Sequence, residues 1–151
     1  MYRKILVPLD GSDLVEGTLN QVRALARETS VEEVTLLNVV NVDTRYSELY
    51  GKNFNVNKLR ESLCDSAREY LAEIGSRLDS EGIKVKTKAL ASGSPARKIT
   101  EYARKNGMEL IVMGTHGYTG LKRLMAGRVA SKVLNSSPVP VLLIRPESCA
   151  S

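Results

Sequence analysis

Four glycines, Gly114, Gly117, Gly120 and Gly127, follow the apolar run Glu109 to Met113 and stand among the cations Lys122, Arg123 and Arg128. A glycine has no Cβ, so a ligand can approach its main-chain N–H closely. A loop of this kind that leaves a strand and enters a helix ends on free N–H groups, where the helix dipole favours an anion. The pattern places that helix from about Gly127 to Asn135. A carboxylate, Asp10, closes a second apolar run, Lys4 to Leu9, and has the chemistry to accept hydrogen bonds from sugar hydroxyls. Together these residues describe a cradle for a phosphate-bearing ligand. Two plainer readings stand beside it: the glycines turn the chain tightly between strand and helix, and Asp10 serves as a helix cap.

Other chemistries find less support. His116 is the only histidine, which rules out a His-based zinc centre, and no Gly-x-Ser-x-Gly elbow presents a serine to it. Neither Gly-x4-Gly-Lys-[Ser/Thr] nor Gly-x-Gly-x2-Gly occurs, which argues against a P-loop NTPase or a dinucleotide enzyme. No carboxylate pair stands at the glycine loop, so Mg2+ or Mn2+ would be held through phosphates and water. Nothing positions an attacking water. Binding without turnover is therefore the expectation, with no catalytic residue and no protein metal site; Thr115, Thr119 and Ser131 are the candidate acceptors if self-phosphorylation occurs.

The elements that must position the cradle emerge from periodicity. Lys4–Leu9, Val34–Val40 and Glu109–Met113 read as buried strands, near-continuously apolar as in a sheet covered on both faces. Ile83–Leu90 alternates Ile83, Val85, Thr87 and Ala89 with Lys84, Lys86 and Lys88, the pattern of a half-exposed edge strand. Pro138–Ile144 reads as a closing strand whose two prolines suit an edge. Between them, Asp13 and Glu16 form a capping box ahead of Val15, Leu19, Val22 and Ala26. A long helix carries Val56, Leu59, Leu63, Ala67, Tyr70, Ile74 and Leu78 on one stripe and stops before Gly82. Ser94-Pro95 starts a third helix, with Ser94 as its N-cap, that ends at Gly107. Residues 41–55, with Tyr46 and Tyr50, read as a loop. Strict β/α alternation predicts an α/β domain with a parallel sheet and helices on both faces.

With 151 residues the chain fits one domain, over 1–146, and a short tail, 147–151. No apolar run has the length of a membrane span and no signal-peptide pattern opens the sequence, so the expected address is cytoplasmic. Cys64 and Cys149 have no ligand or redox spacing. Residues 1–83 carry ten Lys and Arg against fourteen Asp and Glu, whereas residues 84–151 carry twelve against three, for a net +5 overall. A basic half invites an anionic partner. Nucleic acid is disfavoured, because one Phe and no Trp leave no stacking platform beside the lysines.

The chain resembles the universal stress protein family over nearly its whole length. The resemblance rests on Gly114, Gly117 and Gly127, spaced as Gly-x2-Gly-x9-Gly after Met113, and on Ile5-Leu6-Val7-Pro8-Leu9-Asp10-Gly11-Ser12 at the start. Leu36-Leu37-Asn38-Val39, Gly93-Ser94-Pro95, Leu121-Lys122-Arg123-Leu124 and Pro138-Val139-Pro140-Val141-Leu142 complete it. It implies a three-layer, adenine nucleotide alpha hydrolase-like fold with strand order 3-2-1-4-5, and a homodimer joined along strand five. It also implies a regulatory role in stress response through ATP, ADP or AMP. On matching positions, Asp10 would hold the ribose, Pro8 and Leu9 would line the base pocket, and Val39 would address the adenine through its backbone. Met113, Gly114, Gly117, Gly127, Arg128 and Val129 would surround ribose and phosphates. One position departs: the family has Ser or Thr after the last glycine, and here it is Arg128. An arginine there either folds over the phosphates, points to solvent, or fills the phosphate site, which would leave a nucleotide-independent dimeric interaction module.

Overall fold

The computed structural model describes residues 2–11, 15–28, 30–42, 55–115 and 123–145. Strands and helices alternate: β1 Lys4–Pro8, α1 Val15–Glu28, β2 Glu33–Asn41, α2 Val56–Asp79, β3 Val85–Ser92, α3 Pro95–Lys105, β4 Leu110–Gly114, α4 Arg123–Ser136 and β5 Val141–Ile144. The strands form one sheet in the order β3-β2-β1-β4-β5, every neighbouring pair parallel. This is the architecture the alternation and the resemblance predict.

Alternation along β1 explains the layers. Ile5 and Val7 join Leu19, Val22, Leu71, Ile74 and Leu78 in the core under α1 and α2. Leu6 points the other way, to Leu37, Ile99, Ile111 and Val133 under α3 and α4. All three side chains are fully buried, each contributing roughly 1.5–3 kcal/mol relative to exposure. Clamped from both faces, β1 holds its carboxyl end, Pro8 to Asp10, in a set place.

Three starts and one cap differ from the sequence reading, each for a local reason. The third strand begins at Val85 because Gly82, at φ +86°, ends α2 in a left-handed turn and the N–H of Ile83 is donated to the carbonyl of Leu78. The fifth strand begins at Val141. Before it, the Ser137 hydroxyl donates to the Val139 carbonyl at 2.6 Å and accepts from the Val139 N–H at 3.1 Å, which holds the segment in a turn. Ser94 precedes α3 as expected, yet its side chain makes no cap; its own N–H is taken by the Ser92 hydroxyl at 3.1 Å. Helix α4 starts at Arg123, not near Gly127: Arg-Leu-Met-Ala is a run of strong helix formers and carries the helix upstream through the glycine.

The stripe on α2 also shifts. Cys64, Ala67, Leu71, Ile74, Gly75 and Leu78 are its buried residues, while Leu63 is 38% exposed. The helix is opened by Asn55, whose Oδ1 accepts from the Lys58 N–H at 3.1 Å. Asp13, the expected start of the first capping box, and the tail 147–151 lie outside the described residues, as do most residues of the loop 41–55.

Candidate functional site

Strands β2 and β3 lie on one side of β1 and β4 and β5 on the other, so sequence order reverses between β1 and β4. In open α/β sheets this switch point, at the carboxyl ends of the strands, is where ligands settle. Here the two strands part. β1 pairs with β2 over five residues, Lys4–Pro8 with Glu33–Leu37, but its register with β4 covers only Ile5↔Leu110 and Leu6↔Ile111.

Pro8 accounts for the asymmetry. In a parallel strand, alternate residues turn their N–H and C=O to alternate neighbours. Leu9 donates its N–H to the Leu37 carbonyl at 2.8 Å, so odd residues of β1 face β2; the Lys4 carbonyl accepts from the Glu109 N–H at 2.8 Å, so even residues face β4. The next donor toward β4 after Leu6 is therefore residue 8, and proline has no N–H. The β1–β4 ladder stops at that rung, while β1 stays tied to β2 through Leu9, and β4 to β5 through the Thr115 N–H on the Ile144 carbonyl at 3.0 Å.

Gly114 ends β4 at this opening. Since Thr115 faces β5, alternation turns the N–H and C=O of Gly114 to the β1 side. A Cβ built on Gly114 would lie 3.7 Å from Thr18 Oγ1 and 3.9 Å from the Ile144 carbonyl oxygen, ordinary contacts, and its φ is not left-handed. Among the described residues the packing thus has room for a Cβ here. Gly11 is the opposite case: at φ +84° it bends the chain sharply after Asp10, a conformation that costs other residues roughly 1–2 kcal/mol.

The expected site residues are distributed around this opening. Pro8 ends β1, Leu9 is 8% exposed, and exposed Asp10 comes next at the carboxyl edge. Between Asp10 and Val15, where α1 begins, residues 12–14 lie outside the described residues, and with them any cap Asp10 makes. Val39 lies half-buried near the carboxyl end of β2 and packs against the α3/α4 core, and Met113, 5% exposed, belongs to that same core beside Gly114. Gly127, Arg128 and Val129 lie in the second turn of α4, past a first turn at residues 123–126. Arg128 is exposed and makes no ion pair among the described residues, and Val129 packs on the core. Gly117, with His116, Thr119, Gly120 and Lys122, lies outside the described residues.

Sequence reasoning missed Thr18 and Ile144. Thr18, 4% exposed on α1, faces Gly114; its signal was a hydroxyl one helical turn from Val15 on an otherwise apolar stripe. Thr115, a candidate acceptor for self-phosphorylation, donates both its N–H and its hydroxyl to the Ile144 carbonyl, at 3.0 and 3.4 Å. Among the described residues no three of His, Cys, Asp or Glu come together as a metal cluster, and no helix is long and apolar enough to cross a membrane.

This geometry has close counterparts. The chain is 32% identical to the universal stress protein MJ0577 of Methanocaldococcus jannaschii, over 96% of each chain. It superposes on the solved structure of that protein with a TM-score of 0.79 over 96% of both. A universal stress protein from Archaeoglobus fulgidus solved in complex with dAMP shares the fold at 24% identity and a TM-score of 0.66, over 95% of this chain and 98% of that one. Another, in complex with cAMP, shares it at 17% and 0.65, over 97% and 98%. The common architecture is the adenine nucleotide alpha hydrolase-like fold. The family model described as "Universal stress protein family" matches residues 1–145, and the chain belongs to that family.

Proposed function

We propose that the opening between β1 and β4 binds an adenine nucleotide, ATP in particular, and that the protein is a regulatory binding protein of the stress response with no catalytic turnover of its own. The observation that carries this reading is Gly114, a glycine whose backbone faces the opening although its surroundings would admit a Cβ. What a side chain there would obstruct is the approach of something else. The relatives that hold dAMP and cAMP share this fold and support an adenine nucleotide as that guest.

In this reading Asp10 accepts hydrogen bonds from the ribose hydroxyls, Pro8, Leu9 and Val39 border the base, and Met113 packs behind Gly114. The phosphates run toward Gly117 and the amino end of α4, with Gly127, Arg128 and Val129 at their far side. The first-turn N–H groups of α4, at residues 123–126, add four main-chain donors the sequence had not singled out. Mg2+ or Mn2+ would be held through the phosphates and would screen their charge. The working unit is a cytoplasmic homodimer joined along β5, whose four residues remain half-buried at the sheet edge.

Isothermal calorimetry with ATP, ADP and AMP tests the proposal, with ATP expected to bind most tightly. No heat and no thermal shift at millimolar nucleotide would overturn it. Arg128, exposed and without an ion pair among the described residues, favours one competing arrangement: its guanidinium in the phosphate site of a nucleotide-independent module. Arg128→Ser separates the two. Weaker ATP binding in the variant makes Arg128 a phosphate ligand through charge-assisted hydrogen bonds; binding that appears only in the variant makes it the occupant.

A further inference from the structure

The proposed nucleotide site leaves unused the most basic strand of the molecule, β3, which forms one edge of the sheet. Its backbone polarity can be read from its bonds to β2. The Lys84 carbonyl accepts from the Val34 N–H at 2.9 Å, and the Ser92 carbonyl accepts from the Val42 N–H at 3.3 Å. Even-numbered residues of β3 therefore face β2. Odd-numbered ones, Val85, Thr87, Ala89 and Ala91, turn their N–H and C=O groups outward, and among the described residues nothing pairs with them. Thr87 is exposed, so the row is open to solvent at its centre.

The side chains beside that row are sorted by face. Val85 and Thr87 lie against Gly75 of α2, on the side that helix covers. Lys86 and Lys88 project from the other side, where the α3/α4 core reaches β3 at Leu90, and both lysines are exposed. Lys86 is shared with Glu33 at 3.2 Å, its side chain still 63% exposed, and Lys88 has no ion pair among the described residues. An open amide row flanked by alternating lysines is suited to one kind of occupant. A second copy of β3, paired about its Lys86–Lys88 centre, would set lysine opposite lysine, which is destabilising in a paired strand. A nucleic acid would engage the lysines and leave the amides unused.

We propose that β3 is a docking strand for an extended acidic segment of another protein. The segment adds to the sheet through the outward groups of Val85, Thr87, Ala89 and Ala91. Its residues opposite Lys86 and Lys88 are Asp or Glu. Those between them are small or β-branched and lie over Val85, Thr87 and Ala89. The same lysines that bar self-association thereby select the partner.

The test uses the full chain and a synthetic peptide of alternating valine and glutamate, against the same peptide with lysine in place of glutamate. The glutamate peptide binds, slows hydrogen exchange at the Thr87 and Ala89 amides, and is released by salt; the lysine peptide does not bind. Lys88→Glu, an exposed substitution whose thermal unfolding checks the fold, weakens the glutamate peptide on the order of tenfold and gains affinity for the lysine peptide. Equal affinity for both peptides overturns the proposal. So does binding that leaves the Thr87 and Ala89 amides exchanging as before, or a single-stranded oligonucleotide that displaces the peptide and binds more tightly.

Discussion

The two ends of the β1–β4 seam are built in opposite ways. At the amino end it is sewn shut: the Glu109 carboxylate accepts from the Arg3 and Lys4 N–H groups at 2.9 and 3.1 Å, the Glu109 N–H is donated to the Lys4 carbonyl, and Lys4 Nζ reaches the Asn106 carbonyl at 2.7 Å. At the carboxyl end the ladder lapses at Pro8, and Gly114 faces the gap. Opening a sheet at one end forfeits hydrogen bonds worth about 0.5–1.5 kcal/mol each. The amino-end clamp and the fully buried Leu6 and Ile111 hold the strands together without them. The lesson is that a crevice at a switch point needs a missing donor on one strand and a missing side chain on the other, with cross-links displaced to the far end.

The strongest way to break this comparison is Gly114→Val. The nearest atoms at Cβ are ordinary contacts, so the variant is expected to unfold within about 1 kcal/mol of the parent. Nucleotide binding should fall by roughly 3 kcal/mol, about a hundredfold, through loss of two main-chain contacts to charged phosphate or ribose. Calorimetry and thermal unfolding on one preparation check both halves. A variant that binds normally removes Gly114 from the site, and one that unfolds badly makes the glycine structural.

How much of this was legible in the sequence varies with the range of the interaction. The alternating elements, the layers and the glycine motif were readable because they rest on periodicity and on short-range residue types, whereas the strand order came only through the family resemblance. The role of Pro8 was not, since it depends on which neighbour each residue of β1 faces, a parity that only pairing reveals. The start of α4 was misplaced because the phosphate-binding pattern drew attention to Gly127, while the helix-forming run before it decided the matter locally. Ile83 and the Pro138–Pro140 segment look like strand by alternation and are claimed instead by a helix C-cap and a serine turn. Thr18 was passed over because a threonine on an apolar stripe reads as tolerated core until the glycine opposite it is seen.

A smaller effect sharpens the comparison from the other strand. Pro8→Ala restores the N–H that points to β4, and its expected acceptor is the Val112 carbonyl. The ladder gains a rung and the crevice narrows. Stability should rise or hold, since the new bond offsets the looser unfolded chain, while nucleotide affinity falls about tenfold. Hydrogen exchange at residue 8 gives an independent reading: a protected amide shows the rung has formed. Unchanged affinity with that amide protected would mean that the width of the seam does not govern binding.

The smallest effect belongs to the amino end and is a matter of pH. The two backbone N–H donors of Arg3 and Lys4, aided by nearby positive charge, hold the Glu109 carboxyl below the usual carboxylate range. A carboxyl whose folded pKa is depressed stabilises the fold fully above its unfolded pKa, about 4.3. That contribution is lost as pH falls through the lower, folded value, because the unfolded chain then binds the proton first. Glu109→Gln keeps an acceptor oxygen and removes the charge. Its melting temperature should lie slightly below the parent's near pH 7 and converge with it in acid, with nucleotide affinity untouched at neutral pH. A gap that persists unchanged into acid would mean that charge contributes nothing to the clamp. A loss of affinity would mean that the two ends of the seam are coupled, and that the closed end sets the width of the open one.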